Sequence, residues 1–214
     1  YFAFLTEEYR KEDGEGINSK IICSLLNKTA DEIITIDTNQ DISNLFTIPF
    51  HNLSSAELLK DYSKKNFTDY ALIAPDKNAS SLVKHISNKF ITLDKKRIHE
   101  HKVEINDSLD LEHKNIILID DIINTGTTMS SAISCLKNKH NIYCITVHPI
   151  LAGNSEKLLE KTEIISTNTI THHTNEIDIT PLLVEHIRKA LIYLYSIIFF
   201  IFTLTFISLN NLKN

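Results

Sequence analysis

Two adjacent carboxylates, Asp120 and Asp121, followed at short range by Asn124, Thr125, Gly126, Thr127 and Thr128, are the residues of this chain best suited to chemistry. Backbone N–H groups and hydroxyls in such a loop can wrap a phosphate, above all where the loop runs into the positive end of a helix. Gly126 lets the backbone approach an anion closely or take up a positive φ. The two carboxylates suit ribose hydroxyls or a hydrated Mg²⁺ rather than the phosphate itself. An ordinary strand-to-helix turn with an Asp or Thr cap accounts for one such residue. It leaves unexplained two neighbouring acids and a run of hydroxyl and glycine positions.

The elements that must hold these residues are legible on either side. Ile116 to Ile119 is apolar without polar alternation, as in a parallel strand buried on both faces, and the two aspartates close it. A helix is expected from Ser130 to Lys139. Earlier in the chain, Ile17, Ile21, Leu25 and Leu26 recur at helical spacing, and Ile33 to Ile36 forms a buried strand ending at Asp37. Phe46 to Phe50 reads as a short extended piece and Ser54 to Tyr62 as a helix. Ala71 to Ala74 is a third buried strand, ending at Pro75-Asp76, with Ser80 and Ser81 opening a helix. FITLDKKR predicts a strand that ends in Asp94-Lys95-Lys96-Arg97. Downstream, Tyr143 to Val147 is a strand ending at His148, Ser155 to Lys161 a helix, Glu163 to Ser166 a strand and Leu182 to Ala190 a helix. This alternation predicts an α/β fold with a doubly wound, mostly parallel sheet. Its acids, His and cations gather at the carboxyl ends of the strands, where such sheets bind ligands.

Composition narrows the function classes. The 214 residues carry a net charge of −5 with charges scattered, which points away from a nucleic-acid partner. Three cysteines (Cys23, Cys135 and Cys144) at no metal-type spacing suit reduced thiols, hence a cytoplasmic protein.

The order of the blocks GEGINSK, HNLSSAELLKDY, APDK, LDKKR, IDDIINTGTT and HPILAGNSEKLL resembles the ribose-phosphate pyrophosphokinase family, from Tyr1 to about Arg188. IDDIINTGTT by itself resembles the phosphoribosyl pyrophosphate signature of type I phosphoribosyltransferases more widely. The resemblance implies a type I phosphoribosyltransferase-like fold that makes phosphoribosyl pyrophosphate from ATP and ribose 5-phosphate with Mg²⁺. It implies that Asp120, Asp121 and Asn124 through Thr128 hold ribose 5-phosphate. By the same resemblance Lys95 and Arg97 are catalytic residues on a flexible loop, and Asp76 lies near the metal and the pyrophosphate. It further implies residues 1–60 as the remainder of an N-terminal subdomain and 61–190 as the phosphoribosyltransferase-like C-terminal subdomain. A homo-oligomer, or a hetero-oligomer with a homolog, follows as the assembly.

Against that pattern, Thr6-Glu7-Glu8 stands where the family has an Arg-bearing ATP block, and Asn39 stands near the family's metal-linked His. The chain also starts about where the family's first subdomain would end, so the resemblance implies a copy truncated at its N-terminus. These departures fall on the ATP half, and the ribose half matches. Two alternatives stay open: a non-catalytic member that regulates an active homolog, and a phosphoribosyltransferase that uses the same loop.

Residues 191–209 form a hydrophobic tail within an uncharged run from Ala190 to Leu209, flanked by Arg188 and Lys189 on one side and Lys213 on the other. About twenty apolar residues suffice to cross a bilayer, and the basic flanks would keep the larger part cytoplasmic. A helix that pairs with another subunit and a non-native ending after a disrupted reading frame are the other two readings.

Overall fold

The structure, a computed structural model, describes residues 18–38, 42–93, 115–136 and 140–211. It divides into two compact units, Tyr1–Asp178 and Ile179–Asn214.

The first unit is built on a parallel sheet. Its strands are β3 (Tyr70–Ala74), β4 (Ile91–Thr92), β5 (Asn115–Ile123), β6 (Asn141–Pro149), β7 (Glu163–Thr167) and β8 (Asn175–Ile177), in the order β4-β3-β5-β6-β7-β8. Every pairing is parallel, so each carboxyl end points the same way. Helices α2 (Ala56–Asn66), α3 (Ser80–Ile86), α4 (Thr127–Cys135) and α5 (Ser155–Leu158) alternate with these strands. Helix α1 (Asn18–Thr29) precedes a second, two-stranded parallel sheet of β1 (Ile33–Ile36) and β2 (Phe50–Leu53). The expected α/β class with a parallel sheet is therefore what the chain adopts.

Strand β5 occupies the middle of the large sheet because its side chains can be buried on both faces. Ile116, Ile117, Leu118 and Ile119 are all at 0% exposure. Burying each such side chain stabilises the fold by about 1.5–3 kcal/mol, so this run is a main source of its stability. Ile73, Leu118, Met129, Ala132, Leu136, Cys144 and Leu159 belong to one core cluster that joins β3, β5, α4 and β6.

Several boundaries differ from the sequence expectation. Strand β5 does not stop at the aspartates but runs through both to Ile123. Backbone pairing explains this, since Ile122 and Ile123 stand opposite His148 and Pro149 of β6. Helix α4 begins at Thr127, inside the hydroxyl-rich loop, rather than at Ser130, and ends at Cys135. Its start is set by Gly126, which turns the chain at φ 74° and whose carbonyl accepts the N–H of Ser130 at 2.8 Å. Of the short extended piece expected over Phe46 to Phe50, only Phe50 is strand, where β2 opens, and a 3₁₀ turn at Ser43–Leu45 precedes it. Helix α5 stops at Leu158 instead of Lys161, and β8 was not anticipated.

The second unit is one helix, α6 (Thr180–Asn211), which continues the expected Leu182 to Ala190 helix without a break into the apolar tail. Tyr193, Tyr195 and Phe199 are exposed on it. Among the described residues no helix is long and apolar enough to cross a membrane, so the expectation of a spanning tail finds no support.

Candidate functional site

Asp120 and Asp121 are consecutive residues of β5, and their carboxylates stay close enough to interact with one another. Asp120 lines a pocket of about 100 Å³ with residues 122–129, the end of β5 and the first turn of α4. Asp121 does not line it. A pocket of this size is well below the roughly 300–1,000 Å³ that encloses a drug-sized ligand, and suits one anionic group of a larger molecule.

The loop that forms the pocket is held in place from behind. Gly126 adopts the left-handed region, and a Cβ added there would lie 3.3 Å from both the Ser155 Cβ and the Leu159 Cδ1. Glycine is therefore required twice, by backbone conformation and by the closeness of α5. Beyond β6 the chain returns to this loop. Leu151 N–H donates to the Ile123 carbonyl and Ala152 N–H to the Asn124 carbonyl, each at 2.9 Å. Thr125 and Thr127 approach to 2.6 Å between their hydroxyl oxygens at the loop's exposed edge. The cradle is thus made by two segments, Asn124 to Thr128 and Leu151 to Leu159.

The carboxylates are buried and crowded. Asp76, Asp120 and Asp121 are each less than 9% exposed. Burial pushes Asp120 well above the usual carboxylate range, and the charges of Asp121 and Asp76 push in the same direction. Burial also raises Asp121, with Asp76 adding to it, and raises Asp37, with Asp121 adding to it. These four acids come from the ends of β1, β3 and β5 and sense one another. Removal from water and like-charge repulsion both disfavour the ionised forms of Asp37, Asp120 and Asp121.

Two of the acids also build turns. Asp37, in the left-handed region at φ 42°, accepts the Ser55 N–H at 2.8 Å and so joins the end of β1 to the start of α2. Asp76 accepts the N–H groups of Asn78 and Ala79 on Oδ1, at 2.9 and 3.2 Å, which shapes the entry to α3.

His148, expected only as a strand-end residue, joins the two sheets. Its Nε2 lies 2.9 Å from the Ile36 carbonyl and its Nδ1 2.9 Å from Thr169 Oγ1. Burial lowers its pKa to about 4, so at neutral pH the ring is uncharged and serves as a link. Nothing in the residue types announced this contact, since it joins residues 112 positions apart. The contribution of Leu151 to Leu159 was equally hidden, although the HPILAGN block marks the segment.

Of the residues singled out from sequence, the structure brings together Asp120, Asn124, Thr125, Gly126, Thr127 and Thr128 around one pocket. It places Asp121 and Asp76 among the buried acids beside it. Lys95, Arg97, Asn39 and the Thr6-Glu7-Glu8 stretch lie outside the described residues.

Comparison with known proteins agrees with this geometry. The phosphoribosyl transferase domain family matches residues 41–185. A ribose-phosphate pyrophosphokinase of Methanothermobacter thermautotrophicus is 30% identical over 197 residues, covering 86% of this chain and 69% of that protein. The ribose-phosphate pyrophosphokinase of Methanopyrus kandleri is 28% identical over 202 residues, covering 88% of this chain and 69% of its own length. Among solved structures, the phosphoribosylpyrophosphate synthetase of Mycobacterium smegmatis superposes with a TM-score of 0.72 at 22% identity. The match covers 89% of this chain and 69% of that one, and the likeness is one of fold.

Proposed function

This chain belongs to the ribose-phosphate pyrophosphokinase family and carries its phosphoribosyl transferase domain, and from that premise we propose that it transfers the diphosphoryl group of ATP to ribose 5-phosphate. In this reaction the ribose C1 hydroxyl oxygen bonds to the β-phosphorus of ATP. The bond from that phosphorus to the α–β bridging oxygen breaks, AMP leaves, and the hydroxyl proton passes to solvent. The product is phosphoribosyl pyrophosphate.

The observation that carries the reading is a cradle of about 100 Å³ that opens at a buried strand-end aspartate and is floored by Gly126 at positive φ. The N–H groups and hydroxyls of Thr125, Thr127 and Thr128 hold the 5-phosphate at the N-terminus of α4, whose dipole favours an anion there. Asp120 accepts from ribose hydroxyls, and fixing the sugar converts an encounter of two solutes into a positioned reaction. Lys95 and Arg97 are assigned to neutralise charge on the transferring phosphates, where electrostatic stabilisation contributes most to the rate.

Mg²⁺ fits the residues present. Asp37, Asp76, Asp120 and Asp121 offer oxygen donors alone, and their mutual repulsion is a negative field that a hard cation relieves. When bound, the ion would neutralise and align the phosphates of ATP. Asp76 and Asp121 are the residues proposed to hold it, directly or through water.

A coupled assay with Mg²⁺, ATP and ribose 5-phosphate, run beside a ribose 5-phosphate titration, tests the proposal. Turnover in the range of about 1–100 per second expected of kinase-type transfer supports it. Binding of ribose 5-phosphate without turnover would favour the regulatory reading, to which Thr6-Glu7-Glu8 and Asn39 lend weight. Failure to bind ribose 5-phosphate would overturn the cradle itself.

A further inference from the structure

Against α5, the turn between β7 and β8 lays two consecutive imidazoles on a carboxylate. His172 Nε2 is 3.0 Å from Glu156 Oε1, and His173 Nδ1 is 3.9 Å from the same oxygen. The two rings are 4.3 Å apart between centroids. One donor atom from each of the three residues lies within 4.8 Å of the others.

An ordinary surface hydrogen bond accounts for His172 and Glu156 as a pair. It does not account for a second imidazole turned to the same oxygen and tilted against the first. A single cation placed among the three would take a lone pair from each.

The His172 ring is also held in place from behind. Its Nδ1 lies 3.0 Å from Thr174 Oγ1, and its backbone N–H donates to Asn175 Oδ1 at 2.8 Å. Thr174 is buried, with its hydroxyl 2.7 Å from Ser166 Oγ. The Thr174 N–H also donates to Nδ1, at 3.4 Å, and the ring is held with Nε2 toward Glu156.

We propose that Glu156, His172 and His173 bind one divalent transition-metal ion of the Zn²⁺ class. Two imidazoles and one carboxylate form a borderline-soft set that suits Zn²⁺ and its neighbours, whereas Mg²⁺ prefers an all-oxygen environment. Tetrahedral Zn²⁺ at its usual bond lengths separates neighbouring donor atoms by roughly 3.4 Å. The distances of 3.0 and 3.9 Å bracket that value, and the more exposed His173 and Glu156 can close the difference by small rotations. Three protein ligands leave a fourth position to water. Occupancy fastens the β7–β8 turn to α5, the helix that backs Gly126.

The test is a titration of Zn²⁺ into the full chain, freed of metal beforehand, against a chromogenic chelator in excess Mg²⁺. One equivalent is expected to bind. His173→Ala and Glu156→Gln change exposed side chains, and circular dichroism will show them folded. Each is expected to weaken Zn²⁺ by at least about 10–100-fold, the loss that removal of an outer-shell partner alone produces. Absence of one-to-one binding, or an affinity that survives in both variants, overturns the site.

Discussion

The ends of β3 and β5 occupy equivalent places in adjacent parallel strands, and each presents an acid just before a helix. At β3 the acid is used to build. Asp76 gives one carboxylate oxygen to two backbone N–H groups, and the chain enters α3 through ordinary right-handed conformations. At β5 the turn is built without a carboxylate. Gly126 takes the left-handed conformation, α5 closes in behind it, and the segment after β6 secures the loop through Leu151 and Ala152. Asp120 and Asp121 accept the N–H groups of the residues that follow them, and remain buried at the cradle. At β3 the turn draws on one carboxylate oxygen of Asp76, and at β5 other devices hold the loop.

The largest effect is expected at β5 itself. Asp120→Asn should weaken ribose 5-phosphate by about 10–100-fold, because a hydrogen bond to a charged group contributes roughly 1.5–3 kcal/mol. Calorimetric titration measures this, and an unchanged affinity would remove Asp120 from the ribose. The same variant should be more stable at neutral pH than the parent. The raised value of Asp120 means that the folded chain keeps this proton to higher pH than the unfolded chain. Its stabilising contribution is thus full below the ordinary Asp value of about 3.9 and is lost as pH rises through the raised folded value. Urea unfolding over that pH range should decline for the parent and stay flatter for Asp120→Asn.

Gly126→Ala sharpens the comparison when measured beside Gly153→Ala. Both glycines have positive φ, at 74° and 65°, so both substitutions bear the backbone cost of about 1–2 kcal/mol. Only Gly126 has neighbours within 4 Å of the added Cβ. It should therefore lose more stability than Gly153→Ala in urea unfolding, and lose ribose 5-phosphate affinity as well. Equal losses would show that α5 yields freely.

The smallest effect is expected at β3. Asp76→Ala removes a turn-forming acceptor, with a cost of about 0.5–2 kcal/mol by analogy with helix caps. Its unfolding midpoint should fall while ribose 5-phosphate affinity holds. A large loss of that affinity would mean that the two strand ends share one task.

What the sequence made legible was local. The unbroken apolar run of Ile116 to Ile119 identified a central strand, and the types of residue from Asp120 to Thr128 marked a stretch that, Asp121 apart, lines one pocket. Register along the strand was harder to see. Two adjacent acids look alike in a sequence, yet only Asp120 lines the pocket. The end of β5 was placed too early because Ile122 and Ile123 are held by pairing with His148 and Pro149, distant in the chain. His148 itself was visible, but its partner Ile36 belongs to the other sheet. Strand β8 was missed because Asn175-Glu176-Ile177 is short and mostly polar, and its existence depends on the ladder to β7.

The order of the large sheet also bears on how the protein avoids sticking to itself. Its two nine-residue strands, rich in β-branched residues, are the kind of segment that stacks into fibrils when exposed. Both lie inside the sheet with a neighbour on each side. The margins fall to β4 and β8, of two and three residues. Among the described residues, a foreign strand approaching either margin finds a template shorter than the common strand of about five or six. The segments that make the fold stable are thereby kept from recruiting other chains.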